Sequence, residues 1–183
     1  MIEQDPVSQE LLDVVDIEDR VIEVKPRGEI HRQGLMHRSV HILVFNSKGE
    51  LFIQKRSMSK DSNPGLWDSS AAGHVNSGED YLGCATRELT EELGIHEAGA
   101  LQPLFHLRAS QATGMEHCTV FRCTYDGPLT LQEEEIEEGV WLTASEMDRR
   151  VSEQDPALTR VLQFIWEKFR QESRPDRASD RPH

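Results

Sequence analysis

Acidic residues recur at fixed spacings between residues 73 and 95, and this stretch is the part of the chain best suited to chemistry. It follows the pattern G-x5-E-x7-R-E-U-x-E-E-x-G-U, in which U is an apolar residue. The fixed positions are Gly73, Glu79, Arg87, Glu88, Leu89, Glu91, Glu92, Gly94 and Ile95. Mg²⁺ prefers oxygen ligands and is usually held by one or two carboxylates together with substrate phosphates. The spacing therefore indicates a site where carboxylates hold a divalent cation.

A helix over residues 80–93 is predicted to position these glutamates. The segment contains no proline, and an apolar stripe recurs at helical spacing through Leu82, Ala85, Leu89 and Leu93.

Both ends of this helix carry signals. Ser77 and Asp80 form a predicted capping pair at its start, and Gly94 is expected to end it. Within the helix, Glu88 and Glu92 lie one turn apart along one flank of the stripe. Like charges at this spacing disfavour a helix by about 0.2–0.5 kcal/mol, and a bound cation would compensate them.

The remaining charged residues of the pattern have separate interpretations. Glu79 and Arg87 are expected to pair and to brace the loop against the helix. Glu91 is expected to project toward solvent and to assist the metal ligands. A solvated helix face is the alternative for a lone run of glutamates, but the glycines, Glu79 and Arg87 in register favour a metal site.

Length and composition favour one soluble domain. The chain has 183 residues, of which 37% are hydrophobic. We expect a flexible N-terminus over 1–10, one domain over 11–172 and a disordered tail over 173–183. The net charge of −13 disfavours nucleic acid and anionic membranes as partners. The polar N-terminus and three cysteines without metal-ligand spacing (Cys84, Cys118 and Cys123) predict a cytoplasmic protein.

The order of predicted elements favours an α/β/α sandwich. A hairpin over 11–15 and 20–24 is followed by a polar connector over 26–34 with about one helical turn. Further strands are predicted over 40–45, 51–55, 101–109, 118–125 and 139–142, with a short strand from Trp67 into Gly73. Two helices are predicted over 144–151 and 156–171.

The complete acidic pattern resembles the signature of the Nudix hydrolases. The resemblance implies a Nudix-type α/β/α sandwich with a mixed sheet, in which the pattern forms a loop, a helix and a loop beside a cleft. It implies hydrolysis of a diphosphate (pyrophosphate) linkage in a small molecule, such as a nucleoside diphosphate derivative. Mg²⁺ or Mn²⁺ would be held by Glu88, Glu91, Glu92 and the carbonyl of Gly73. The resemblance also leaves room for a homodimer.

Residues outside the pattern resemble a bacterial Nudix branch close to isopentenyl-diphosphate isomerase. This similarity covers residues 14–167 and includes F-N-S-K-G at 45–49, K-R-S-M-S-K at 55–60 and P-G-L-W at 64–67. The isomerase moves a double bond by proton transfer at carbon and uses a cysteine at the position of Ala72. Ala72 has no acid–base group and the pattern is intact, so hydrolysis is favoured over isomerase-like chemistry. A noncatalytic Nudix ligand-binding domain is a further alternative, although such domains often lose the glutamates.

The isomerase resemblance also implies a candidate second metal site. His37, His74 and Glu116 match metal-ligand positions of that family. His31 falls one residue short of another such position, and Gly114 stands where a further acidic residue is expected. The alternative is that His37 and His74 are hydrogen-bonded or substrate-facing polar residues. No partner is evident in the sequence for His41, His96, His106, His117 and His183.

Hydrolysis needs a general base, and several carboxylates are candidates. Glu88 and Glu91 lie on the predicted helix, and Glu116 precedes a predicted strand. Glu134 belongs to an acidic run over 133–138, whose position before a strand resembles the base-bearing loop of Nudix hydrolases. The alternative for this run is a solvated loop.

Overall fold

A β-hairpin opens the part of the chain that the structure, a computed structural model, describes: residues 9–97 and 99–173. Strand β1, Leu11–Val15, pairs antiparallel with β2, Val21–Pro26, close to the predicted bounds. The Asp16 carboxylate closes the turn by accepting hydrogen bonds from the backbone N–H groups of Glu18 and Arg20. The predicted flexible N-terminus and disordered tail lie outside the described residues, apart from residues 9, 10 and 173.

Helix α1, Arg27–Gln33, is longer than the single turn predicted after the hairpin. It runs for seven residues and ends at Gly34, whose φ of 64° is a left-handed conformation that glycine adopts readily. The buried side chain of Ile30 packs on β1 and anchors the helix. The extra length matters because it holds His31 against the first residue of the next strand.

Seven strands form one mixed sheet. They are β3 His37–Phe45, β4 Leu51–Arg56, β5 Trp67–Asp68, β6 Ala71–His74, β7 Gln102–Leu107, β8 Glu116–Thr124 and β9 Ile136–Leu142. β3 and β8 run parallel, and the other pairings described for this sheet are antiparallel. β3 is buried along nearly its whole length, as expected for a strand covered on both faces.

β3 divides its pairing between two partners. Its first half pairs with β6, from Ser39 opposite His74 to Ile42 opposite Ala71. Only Phe45, its last residue, pairs with β4. β4 and β6 therefore diverge, and a cleft opens beside the divergence.

Helices cover both faces of this sheet. α2, Tyr81–Leu93, packs on one face, and α3, Ala144–Ser152, packs with α4, Arg160–Glu172, on the other. The two faces are opposite because alternate residues of β3 join the two core clusters. The predicted α/β/α sandwich with a mixed sheet is confirmed. Within the described ranges, no helix is long and apolar enough to span a membrane.

Two predicted helical features differ in the structure. Leu82 does not belong to the apolar stripe of α2, because it lies on the outer flank with 51% of its surface exposed. Cys84 is buried on the inner side instead. α4 begins later than predicted, since Thr159 caps it by accepting a hydrogen bond from the backbone N–H of Leu162 at 3.2 Å.

Candidate active site

The loop before α2 starts the helix with a different cap from the predicted pair. Asp80 alone caps it, accepting a hydrogen bond from the backbone N–H of Gly83 at 2.6 Å. The prediction is wrong for Ser77, whose hydroxyl donates to Asp13 of β1 at 2.7 Å. Ser77 therefore joins the loop to the hairpin. Gly94 ends the helix with a φ of 67°.

Arg87 connects the loop, α2 and β6. Its guanidinium donates two hydrogen bonds of 2.9 Å to the Glu79 carboxylate and one of 3.1 Å to the carbonyl of His74. Burial alone would raise the pKa of Glu79, but hydrogen bonds from Arg87 and from the Asn76 backbone N–H, together with the Arg87 charge, outweigh it and the pKa is lowered. The ion pair thus has the bracing contacts that the sequence predicts.

Two carboxylates of α2 are buried where an isolated charge is unfavourable. Glu88 is 8% exposed and accepts a hydrogen bond from Arg87 at 2.7 Å. Glu92 is 6% exposed and accepts from Gln54 Nε2 at 2.9 Å and from the backbone N–H of Ala72 at 3.2 Å. Burial raises the pKa of Glu88 to about 7. Burial, followed by the Glu88 charge, raises the pKa of Glu92 to about 8.

β6 approaches α2 closely at Gly73. A Cβ atom at this position would lie 1.9 Å from Oε1 of Glu88 and 2.2 Å from its Cδ. Glycine therefore allows the carboxylate to lie directly against the strand. The backbone of Gly73 therefore lies beside Glu88, and the Gly73 carbonyl and the Glu88 carboxylate are expected to bind the same metal ion. Glu91 is exposed, as predicted, and lies 3.2 Å from Arg87.

Three imidazoles and one carboxylate meet in the same cleft. The ring centroids of His31, His37 and His74 lie 5.0 Å from one another. With Glu116 they offer four ligand atoms that all lie within 4.8 Å of each other. The strands bring together the three predicted residues, and α1 adds His31, which the sequence placed one residue out of register. We call these four residues the His/Glu cluster.

Hydrogen bonds and burial favour lone pairs on these rings. Nδ1 of His37 lies 2.9 Å from the carbonyl of Leu35, so it carries a proton and leaves a lone pair on Nε2. Burial lowers the pKa of His31 to about 4 and also lowers the pKa of His74. Burial would raise the pKa of Glu116, but the neighbouring His37 and His74 hold it well below its usual range. This donor set suits Zn²⁺ or a similar transition metal.

Arg27 lies against the His/Glu cluster and is 6% exposed. Its Nε donates to Nδ1 of His74 at 3.3 Å, and its guanidinium pairs with Asp61 at 3.0 Å. Because Nδ1 of His74 accepts, its proton resides on Nε2, which faces Glu116 at 3.2 Å. A metal bound through this Nε2 requires the proton to leave and the Arg27 hydrogen bond to break.

The acidic run divides between the cleft and the surface. Glu134 and Glu135 line the cleft, and Glu135 forms a salt bridge with Lys60. Glu137 and Glu138 belong to β9 and pair with a lysine of β4 at 3.2 and 3.3 Å. The solvated-loop interpretation therefore fits only part of the run.

The cleft that joins the glutamates to the His/Glu cluster has a volume of about 640 Å³. Besides Arg87, it receives four basic side chains, those of Arg27, Arg56, Lys60 and Arg160. No sequence pattern predicts a role for these four residues or for Gln54, which contacts Glu92. Gln54, Arg56 and Lys60 come from β4 and the run that follows it, whereas Arg27 and Arg160 begin two separate helices, so only the folded chain brings all five to one cleft.

An α/β/α sandwich that presents buried glutamates on a loop and helix beside a cleft defines a hydrolase class. The model of the NUDIX domain family matches residues 35–162, and the chain belongs to this Nudix hydrolase family. The predicted membership is confirmed, and the family supports an enzyme of the pyrophosphohydrolase type.

Relatives support the same assignment along most of the chain. A Nudix hydrolase of Yersinia pestis is 37% identical over 172 residues, covering 91% of each chain. The Nudix hydrolase YfcD of Escherichia coli is 36% identical over 166 residues, covering 88% of each. Among solved structures, DR0079 of Deinococcus radiodurans is similar with a TM-score of 0.76 and 30% identity, covering 87% of this chain and 98% of that one.

Proposed function

We propose that the protein is a metal-dependent pyrophosphohydrolase that cleaves a diphosphate linkage in a small molecule. The observation that carries this proposal is the burial of Glu88 and Glu92 one helical turn apart, with both pKa values raised. A divalent cation matches such a pair of buried oxygen ligands. The net charge of −13 favours a small substrate over a nucleic acid.

The residues of the cleft would divide the work of this reaction. Glu88 and Glu92 would hold Mg²⁺ or Mn²⁺, with Glu91 at the outer edge and the Gly73 carbonyl as a further ligand. The ion would neutralise diphosphate charge and lower the pKa of bound water. Basic side chains that line the cleft, such as Arg56, would attract the substrate phosphates.

Among the candidate bases, the structure distinguishes free carboxylates from committed ones. Glu116 is hydrogen-bonded to His74 and lies 3.5 Å from Nε2 of His37, and its lowered pKa makes it a poor proton acceptor. Glu134 is exposed and lines the cleft, so it is free to approach the attacking water. Glu88 and Glu91 share contacts with Arg87. We favour Glu134 as the base.

A panel of diphosphates tests the proposed activity. Nucleoside diphosphate sugars, dinucleotides, modified nucleoside triphosphates and isoprenoid diphosphates would be incubated with Mg²⁺, Mn²⁺ or EDTA, and products identified by mass. We expect cleavage of a phosphoanhydride bond that EDTA abolishes. Glu134→Gln should lower kcat at least about tenfold, the lower end of what loss of a general base costs, whereas Glu137→Gln serves as the matched control. Cleavage that persists in EDTA would contradict the metal-dependent mechanism.

The His/Glu cluster supports a second metal site and keeps isomerase-like chemistry as the second candidate function. All four ligand atoms lie within 4.8 Å of each other, which is closer to a complete site than the sequence implied. Metal content of the dialysed protein should show about one Zn²⁺ or Mn²⁺ per chain that His37→Asn removes and Glu92→Gln retains. Equal metal content in wild type and His37→Asn would exclude this site.

A further inference from the structure

His41 is a cleft-lining histidine that the glutamate site and the His/Glu cluster do not use. It lies on β3, is 6% exposed, and its Nδ1 is 2.7 Å from the Ser69 hydroxyl. Ser69 Oγ lies 3.3 Å from the carbonyl of Ala71, and the carboxylate of Asp68 is 3.7 Å from the same Nδ1. The ring is therefore fixed in one orientation by buried neighbours.

This arrangement decides which ring nitrogen of His41 carries the proton. The Ser69 hydroxyl has one proton, and the Ala71 carbonyl can only accept it. Ser69 must then accept from His41, and the nearby Asp68 carboxylate also favours a proton on Nδ1. Nε2 is left with a lone pair, and no described residue forms a hydrogen bond with it. The ring thus offers an acceptor to the cleft.

Ser39 presents a second unmatched polar group two residues away on the same face of β3. Its side chain lines the cleft and is 3% exposed, yet its Oγ has no hydrogen-bond partner among the described residues. The thiol of Cys118, opposite Ser39 on β8, interacts with this hydroxyl, but a thiol is only a weak hydrogen-bond partner. Buried hydroxyls without partners are uncommon, so a ligand or a bound water is expected there.

Strand register places this pair of residues between the two candidate metal centres. His41 lies opposite Ala72, whose backbone N–H donates to Glu92. Ser39 lies opposite His74 of the His/Glu cluster. A substrate that reaches from the glutamates into the cleft would pass over both side chains.

We propose that Ser39 and His41 form a polar subsite that recognises a hydroxyl on the group attached to the diphosphate. This inference rests on the proposed function and narrows its substrate class. The substrate hydroxyl donates to His41 Nε2, and its oxygen accepts a hydrogen bond from the Ser39 hydroxyl. A sugar or nucleoside supplies such a group, whereas a hydrocarbon tail would cover both polar atoms without pairing them. The subsite therefore favours sugar or nucleoside diphosphates over isoprenoid diphosphates.

Binding measurements separate this subsite from the hydrolytic site. Isothermal titration with Mg²⁺ would compare ADP-ribose and UDP-glucose with isopentenyl and geranyl diphosphates, using Glu134→Gln throughout to suppress turnover. Inorganic pyrophosphate reports on the phosphate site alone. We expect at least one hydroxyl-bearing ligand to bind at least about tenfold tighter than both isoprenoid diphosphates.

Substitutions then assign the preference to particular residues. His41→Leu should reduce the preference at least about tenfold and leave pyrophosphate affinity unchanged. Ser39→Ala should reduce it less, and His41→Gln should restore part of it because the amide still offers an oxygen acceptor. His96→Leu, at an exposed position, is the matched control. Melting curves establish that each variant is folded, and Ser39→Ala provides an independent test if His41→Leu does not fold.

Each other outcome has a defined meaning. Isoprenoid diphosphates that bind as tightly as the hydroxyl-bearing ligands would overturn the subsite, as would a preference that survives in both His41→Leu and Ser39→Ala. Binding of pyrophosphate but of none of the hydroxyl-bearing ligands would overturn it as well. Failure to bind even pyrophosphate with Mg²⁺ would count against the proposed function together with the subsite.

Discussion

The carboxylates of Glu88 and Glu92 lie in surroundings that oppose their own ionisation. Both have pKa values raised from 4.5 in the folded chain, mainly by burial. Between pH 6.5 and 8.5 the metal-free folded protein therefore holds protons that the unfolded chain has already released. Stability rises with pH only where the unfolded state binds more protons, so here it falls as pH rises through about 7 and about 8.

The first prediction follows from this loss of stability with rising pH. In EDTA, the melting temperature should fall between pH 6.5 and 8.5, and Glu92→Gln should fall less because one of the two titrating groups is gone. Saturating Mg²⁺ should raise the melting temperature more at pH 8.5 than at pH 6.5, since metal and protons compete for the carboxylates. A wild-type curve that rises over this range, or that matches Glu92→Gln, would contradict the buried pair.

The second prediction concerns turnover. Glu92→Gln removes a ligand charge but keeps the side-chain shape and a carbonyl oxygen for the N–H groups of Gln54 and Ala72. We expect kcat on a confirmed substrate to fall by at least about 100-fold, as for loss of a dominant electrostatic group, with the fold retained. Glu153→Gln, on an exposed ion pair of α3, is the control. Near-normal kcat in Glu92→Gln would remove this residue from the metal site.

At the scale of elements, the approach of β6 to α2 is set by Gly73. Gly73→Ala would drive a methyl group into the Glu88 carboxylate, which Arg87 holds in place. We expect a large loss of kcat with a smaller loss of stability, because the displaced atoms are the end of a side chain. Gly99→Ala is the control, since its nearest non-adjacent atom would be 3.8 Å away. Unchanged kinetics in Gly73→Ala would show that Glu88 need not lie against β6.

The Arg87–Glu79 pair links three elements through a planar guanidinium. Arg87→Lys cannot reproduce its two parallel hydrogen bonds or reach the His74 carbonyl at the same time. We expect a loss of about 1–3 kcal/mol in the free energy of unfolding, measured by urea denaturation. Arg149→Lys should change stability little, because its pair with Glu153 is exposed. If the two substitutions lower the free energy of unfolding equally, the Arg87–Glu79 pair stabilises the fold no more than an exposed ion pair does.

Local patterns predicted these elements better than the contacts between them. The apolar periodicity and Gly94 located α2 closely, because they act within one helix. Ser77 was misassigned, since its hydroxyl joins a strand more than 60 residues earlier. His31 was missed as a full member of the cluster, because its place depends on the length of α1. Ser39 and His41 gave no signal because strand register alone brings them into the cleft.

At the scale of the whole molecule, one divergence in the sheet organises both candidate metal centres. β6 carries Gly73 beside the glutamates and His74 in the His/Glu cluster, while its pairing with β3 places the polar residues between them. The cleft therefore combines groups from opposite ends of the sequence around one short strand. Hydrolysis would use the glutamates, and isomerisation would use the His/Glu cluster. Because the folded chain assembles both sets of residues, their geometry distinguishes the two reactions less well than the residue at one position.

That position is Ala72. Proton transfer at carbon needs a positioned acid–base group, whose loss typically costs about 10²–10⁴-fold in rate, and a methyl group cannot supply it. Ala72 lies opposite His41 of β3. The ring of His41 is oriented by Ser69 and Asp68, and not by the His/Glu cluster. We therefore expect no isomerisation of isopentenyl diphosphate, even though the His/Glu cluster is assembled.

NMR in deuterated water, with Mg²⁺ and Zn²⁺ tested separately, checks this last prediction. The wild-type protein should show neither deuterium uptake nor formation of dimethylallyl diphosphate. Ala72→Cys places a thiol beside the His/Glu cluster and tests whether the rest of the cleft can support proton transfer. Uptake only in Ala72→Cys would show that this one side chain separates the two chemistries. Catalytic uptake with formation of dimethylallyl diphosphate in the wild type would contradict this prediction. The proton would then have to come from a group other than a side chain at position 72.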